Sequence, residues 1–239
     1  MNSKRIYIIL IIMLFAVSIY SLSTGSVHIG KKDILNIMIG NGGGVDDSLK
    51  TILLNVRLPR VLIAVLVGMM LASSGTVVQT VFQNPLADPY IIGIAASATF
   101  GAVLAFIFKL PDVMYGGLAF LVSVIVSIII FKLSNSGNKS DISTLLIIGI
   151  AISSFLGAFT SFAMYLIGED SFKIVTWMMG YLGSATWPKI LILLFPLFIS
   201  IAYFFMKRHE LDLLLSGDEE AHSLGINVEK LKKHMLIVS

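Results

Sequence analysis

Apolar residues run through this sequence in long blocks, separated by short polar clusters. Uncharged stretches cover residues 6–23, 61–82, 90–108, 113–131, 142–167 and 190–206, and another begins near 234. A helix needs about 20 such residues to cross the ~30 Å hydrocarbon core. The pattern therefore predicts an all-α polytopic membrane protein with about six complete transmembrane helices and the start of a seventh. Spans of a β-barrel would be shorter and would alternate, which these runs do not.

The polar clusters predict the connections. In "GKKDILNIMIG" (30–40) Ile34, Leu35, Met38 and Ile39 share one face, which suits a short helix lying in the membrane interface. "NGGGVDDS" (41–48) reads as a flexible turn. "QNPLADP" (83–89) holds two prolines and must end the helix before it. Asp141 is placed to cap the helix that follows it. Residues 171–183 are apolar but too short to span, and with Trp177 and Trp187 nearby they read as a half-inserted or interfacial helix.

Three spans carry small residues at four-residue spacing, about one helical turn. They are Ala64, Gly68, Ala72, Thr76 and Thr80; Gly93, Ser97, Gly101 and Ala105; and Gly149, Ser153, Gly157 and Ser161. Such stripes let helix backbones approach in lipid, where no hydrophobic force drives association. The last of them is also a candidate for a pathway or a subunit seam.

Composition narrows the function. Of 239 residues, 56% are hydrophobic and 13% charged, about half the charge of ordinary soluble domains. There is no cysteine, and a net charge of +3 does not suggest a nucleic-acid partner. No Asp, Glu, Lys, Arg or His interrupts the runs, whereas ion-coupled carriers usually hold an ionisable group there. His28, His209, His222 and His234 fall in loops or at helix ends, so no nucleophile–base pair marks an embedded enzyme. No metal site or cofactor is expected, and no G-x-x-x-x-G-K-[ST] loop binds nucleotide. If ATP drives this chain, another chain hydrolyses it. The basic start at Lys4 and Arg5 resembles a signal peptide, but the apolar run to Leu22 is long and reads as a retained first helix.

With the N-terminus inside, nine of the 17 basic residues face the interior, so charge counting barely sets the orientation. Arg57 and Arg60 would then lie outside. Near the other end, "SGDEEAHSLGI" (216–226) reads as a short helix. Ser216 or Gly217 starts it, and Asp218, Glu219 and Glu220 fill its first turn, where the helix dipole favours negative charge. Gly225 stops it. Ala221 and Leu224 share a face and present a small apolar knob.

"RLPRVLIAVLVGMMLASSGTVVQTVFQNPLADPYIIGI" (57–94), "WMMGYLGSATW" (177–187) and "LLLSGDEEAHSLGINVEKLKK" (213–233) resemble, in order, segments of the FecCD-type permeases. These are membrane subunits of ABC importers for iron–siderophores, haem and cobalamin. The resemblance implies a type II importer permease fold forming one transmembrane domain over 1–239, with a cytoplasmic coupling loop at 207–229. It implies a second permease subunit as partner in a homo- or heterodimer, cytoplasmic ATPase subunits, an extracytoplasmic substrate-binding protein, and the cytoplasmic membrane with the N-terminus inside. Arg57 and Arg60 would pair with acidic residues of the binding protein. Residues 216–225 would enter a groove on the ATPase. Gly149, Ser153, Gly157, Ser161 and Met178 would line the pathway or the dimer seam. Family members continue for about three more helices, so the chain is also expected to be truncated and impaired, or a remnant. An ion-coupled secondary transporter is the remaining alternative.

Overall fold

The computed structural model describes residues 3–111, 113–134 and 142–239. Among them the chain forms no strand and twelve α-helices: α1 (Ser3–Ser23), α2 (Lys31–Ile39), α3 (Asp47–Thr51), α4 (Leu58–Phe82), α5 (Ile94–Ile107), α6 (Val113–Ser134), α7 (Ile142–Ile167), α8 (Phe172–Met178), α9 (Trp187–Met206), α10 (Arg208–Leu214), α11 (Asp218–Ser223) and α12 (Val228–Val238). Every expected apolar run is helical. Among the described residues five helices are long and apolar enough to cross a membrane, while α5, with 14 residues, is shorter than the 90–108 run suggested. The chain falls into two compact units, Met1–Met70 with Leu182–Phe198, and Leu71–Tyr181 with Ile199–Ser239.

In the first unit α1 leaves nearly its whole surface exposed, as a helix whose neighbour is lipid can. Its last turn packs with the connection to α2, where Leu22, Ile29, Ile34, Ile37 and Leu53 form a buried cluster. The α2 face differs from the expected one: Ile34 and Ile37 point inward, and Leu35, Met38 and Ile39 are exposed. Residues 41–48 are more ordered than a flexible turn. Asp46 caps α3, its carboxylate accepting from the Ser48 N–H at 2.9 Å.

From α3 the helix continues unbroken into α4 through a π-helical turn at Ile52–Arg57. Pro59 explains the wider turn. Its ring lacks an N–H and crowds the carbonyl four residues back, and just before it the Leu58 N–H reaches five residues back to Leu53. Farther along, Ile63 and Leu66 pack with Ile190 and Leu197.

In the second unit α5, α6 and α7 pack tightly. Gly101 makes the α5–α6 crossing possible, since a Cβ there would sit 2.8 Å from the Ala119 Cα and the Leu118 carbonyl oxygen. The Ser123 hydroxyl donates to the Ala119 carbonyl of its own helix at 2.8 Å. A separate core joins Val77, Val78 and Val81 of α4 to Leu214, Leu231, Met235 and Leu236. Residues 171–183 contain one short helix, α8, stopped by Gly180 at φ +73. The last helix begins at Val228 rather than near 234. Asn227 caps it by accepting from the Lys230 N–H at 3.0 Å, and its charged first turns are amphipathic rather than continuous with an apolar run. The proposed cap at Asp141 lies outside the described residues.

Candidate functional site

Arg57 and Arg60 stand three residues apart, at the end of the π-turn and in the first turn of α4. Their surroundings differ. Arg60 is exposed. Arg57 is 8% exposed and donates to the main-chain carbonyls of Leu22, at 2.6 Å, and of Val27. Leu22 lies in the last turn of α1, where carbonyls lack helical partners and the helix dipole favours a cation. The guanidinium therefore satisfies groups that would otherwise be orphaned. Gly25 makes room for it: a Cβ there would sit 2.7 Å from the Arg57 Nη2. By sequence alone the two arginines read as one pair. Nothing in the spacing announced that the π-turn would carry Arg57 inward.

The acid-headed segment forms as expected between Gly217 (φ +125) and Gly225 (φ +87). Ser216 is exposed and precedes the helix, and Asp218, Glu219 and Glu220 occupy the first turn of α11. The Gly225 and Ile226 N–H groups close its end on the His222 and Ala221 carbonyls, at 3.0 and 3.1 Å. One expectation changes. Ala221 is fully buried and Leu224 is 61% exposed, so the two do not form one outward knob. The outer surface is instead Glu219, Glu220, His222 and Leu224, while Ala221 turns inward where α11 packs against α10. At the loop's start Glu210 lies 2.7 Å from Lys207 and raises the pKa of that lysine above its ordinary value.

The three small-residue stripes separate by environment. In the α5 set Gly93, Ser97, Gly101 and Ala105 are all buried, which is helix packing. The α7 set is buried at Gly149, half-buried at Ser153, and exposed at Gly157 and Ser161. Met178 of α8 is also exposed. Along α4, Ala64, Gly68, Ala72 and Thr76 are exposed. Thr76 and Thr80 help line a cavity of about 300 Å³ with Gln79, Gln83 and Asn84, a feature that residue spacing alone did not reveal. No cluster of three or more potential metal ligands occurs among the described residues.

Apolar helices with open small-residue faces and polar groups confined to their ends define a multi-pass membrane protein. Residues 10–239 match the model of the FecCD transport family, and the chain belongs to that family. It is 35% identical to the hemin transport system permease protein of Yersinia pestis, over 96% of this chain and 69% of the relative. Identity to the cobalamin import system permease protein of Halobacterium salinarum is 34%, over 82% of this chain and 53% of the relative. A solved inward-facing conformation of a protein assigned to the metal-chelate type of ABC transporter superposes with a TM-score of 0.80. That structure is 27% identical, covering 98% of this chain and 72% of its own. The chain is accordingly a permease subunit of the ABC importer class, a transport protein and not an enzyme. The ion-coupled and enzymatic alternatives are not favoured.

Proposed function

We propose that the chain forms, with a second permease subunit, the membrane pathway for an iron chelate, with siderophore complexes ahead of haem and cobalamin as cargo. A separate ATPase drives the step. The observation that carries the reading is the acidic α11, which with Leu224 at its C-cap exposes Glu219 and Glu220 while packing against α10 and α12, and these two share an apolar core with the α4 valines. A chain without a nucleotide-binding loop needs such a surface to receive work from one that has it.

On this reading the N-terminus and α11 are cytoplasmic, and the start of α4 faces outward. Arg60 is the arginine exposed enough to meet a carboxylate of the binding protein in a charge-assisted, two-pronged contact. Arg57 acts through Arg60, because its bonds to the Leu22 and Val27 carbonyls shape the turn that presents it. Ser153, Gly157 and Ser161 on α7, with Met178, line the pathway or the subunit seam beyond the buried Gly149, and their partial exposure supports this.

Proteoliposomes holding the transporter with its ATPase and binding protein test the proposal. Uptake of a ferric siderophore is expected to require ATP hydrolysis and to exceed uptake of haemin and cobalamin. Uptake that follows a proton gradient and ignores ATP would overturn it.

A further inference from the structure

The turn that ends α4 breaks a backbone preference. Gln83 adopts φ +49, the left-handed region in which helices usually place glycine. The main chain closes as a helix end should, with the Gln83 N–H on the Thr80 carbonyl and the Asn84 N–H on the Gln79 carbonyl, both at 3.1 Å. Glycine would make this turn without strain. What glutamine adds is its side chain, and Nε2 makes two bonds: to the Leu214 carbonyl at 2.9 Å and to Asp218 Oδ1 at 2.8 Å.

The other oxygen of that carboxylate, Oδ2, accepts from Lys232 Nζ at 2.6 Å. The Lys232 side chain is only 9% exposed, and that of Asp218 is 50% exposed. One carboxylate, on the first residue of α11, therefore holds both the end of α4 and the amphipathic face of α12. Gln83 also lines the cavity described above, together with Leu215, the residue after Leu214.

An apolar core already joins α4 to Leu214 and α12, and α11 is not part of it. An ion pair with one partner half-exposed adds little net stability, but its hydrogen bonds are directional. Backbone strain likewise persists where a structure has a use for it. Both features meet at one node.

We propose that Gln83, Asp218 and Lys232 form a linkage through which displacement of α11 is passed to the C-terminal turn of α4, to the cavity it lines, and to α12. The inference rests on the reading of α11 as the surface moved by the ATPase.

The deciding variant is Gln83→Gly, which keeps the left-handed turn, relieves its strain and removes only the side chain. In the transporter assembled with its ATPase and binding protein, uptake per ATP hydrolysed is expected to fall at least about fivefold. Lys232→Met should do the same, Lys232→Arg should retain most of the uptake, and ATPase co-purification should be unchanged. Paired exchange of Asp218→Lys with Lys232→Asp should recover part of what either loses alone. If Gln83→Gly imports at the normal ratio while Leu224→Asp on the outer face of α11 loses import, the linkage is wrong and the coupling reading survives. If both import normally, the coupling reading fails and the linkage with it. Loss of the ATPase from the Gln83→Gly complex also counts against the proposal, because the contact would then serve assembly rather than transmission.

Discussion

The Arg57 guanidinium donates to the Leu22 carbonyl at 2.6 Å, bridging the end of α1 to a residue 35 positions later in the chain. Removing it leaves the buried Leu22 carbonyl without that partner, at about 1–3 kcal/mol, and frees the part-buried carbonyl of Val27 as well. Arg57→Ala should therefore lower the melting temperature and yield of the detergent-solubilised protein. Arg60→Ala, at an exposed position, should leave both unchanged and weaken only capture by the binding protein. Comparable melting for the two variants would contradict the assignment of separate roles.

Gly25 belongs to the same arrangement. A methyl group at this position would meet Arg57 Nη2 at 2.7 Å, and the arginine cannot yield without losing its carbonyls. Gly25→Ala should destabilise the protein much as Arg57→Ala does. In an Arg57→Ala background it should have almost no effect, because neighbouring changes that act through one contact do not add. A double-mutant cycle on thermal unfolding reads the difference, and simple additivity would show that Gly25 acts elsewhere.

Much of this fold was legible in the sequence because lipid imposes one simple rule. Uncharged runs at 6–23, 61–82, 113–131, 142–167 and 190–206 became α1, α4, α6, α7 and α9 with boundaries moved by a few residues. The glycines bounding α11 were readable for a similar reason, since positive φ narrows the choice of residue. Orientation of individual side chains was less accessible. Arg57 and Arg60 look equivalent as letters, and only the π-turn before Pro59 separates them. Ala221 and Leu224 share a helix face by spacing, yet α11 ends at Ser223 before Leu224, and the packing covers Ala221 and not Leu224. The linkage at Gln83 joins residues 131 and 135 positions apart, which no local pattern encodes.

Helix glycines that read alike in sequence make opposite predictions. Gly101 of α5 has the α6 backbone where its Cβ would lie, whereas Gly116 and Gly117 of α6 have open space. Gly101→Val should cost about 1–3 kcal/mol through overpacking and lower the melting temperature. Gly117→Val should stay within about 0.5 kcal/mol of the parent. Equal sensitivity at the two positions would mean that the α5–α6 crossing is not as close as described.

The final prediction separates the seat of α11 from its working surface. Ala221 is fully buried, so Ala221→Trp has no room and should lift the helix from its seat, at a cost of about 1–3 kcal/mol from overpacking. Protease cleavage within residues 215–227 should then rise, and import should fail as a consequence of lost structure. Leu224 is 61% exposed, so Leu224→Asp should leave protease resistance and melting unchanged. It should nonetheless reduce co-purification of the ATPase, since an exposed leucine beside Glu219 and Glu220 is the apolar part of the proposed contact. Limited proteolysis and pull-down of the two variants, run side by side, give opposite patterns if the inward and outward faces are as described. A Leu224→Asp complex that holds its ATPase normally would remove Leu224 from the contact.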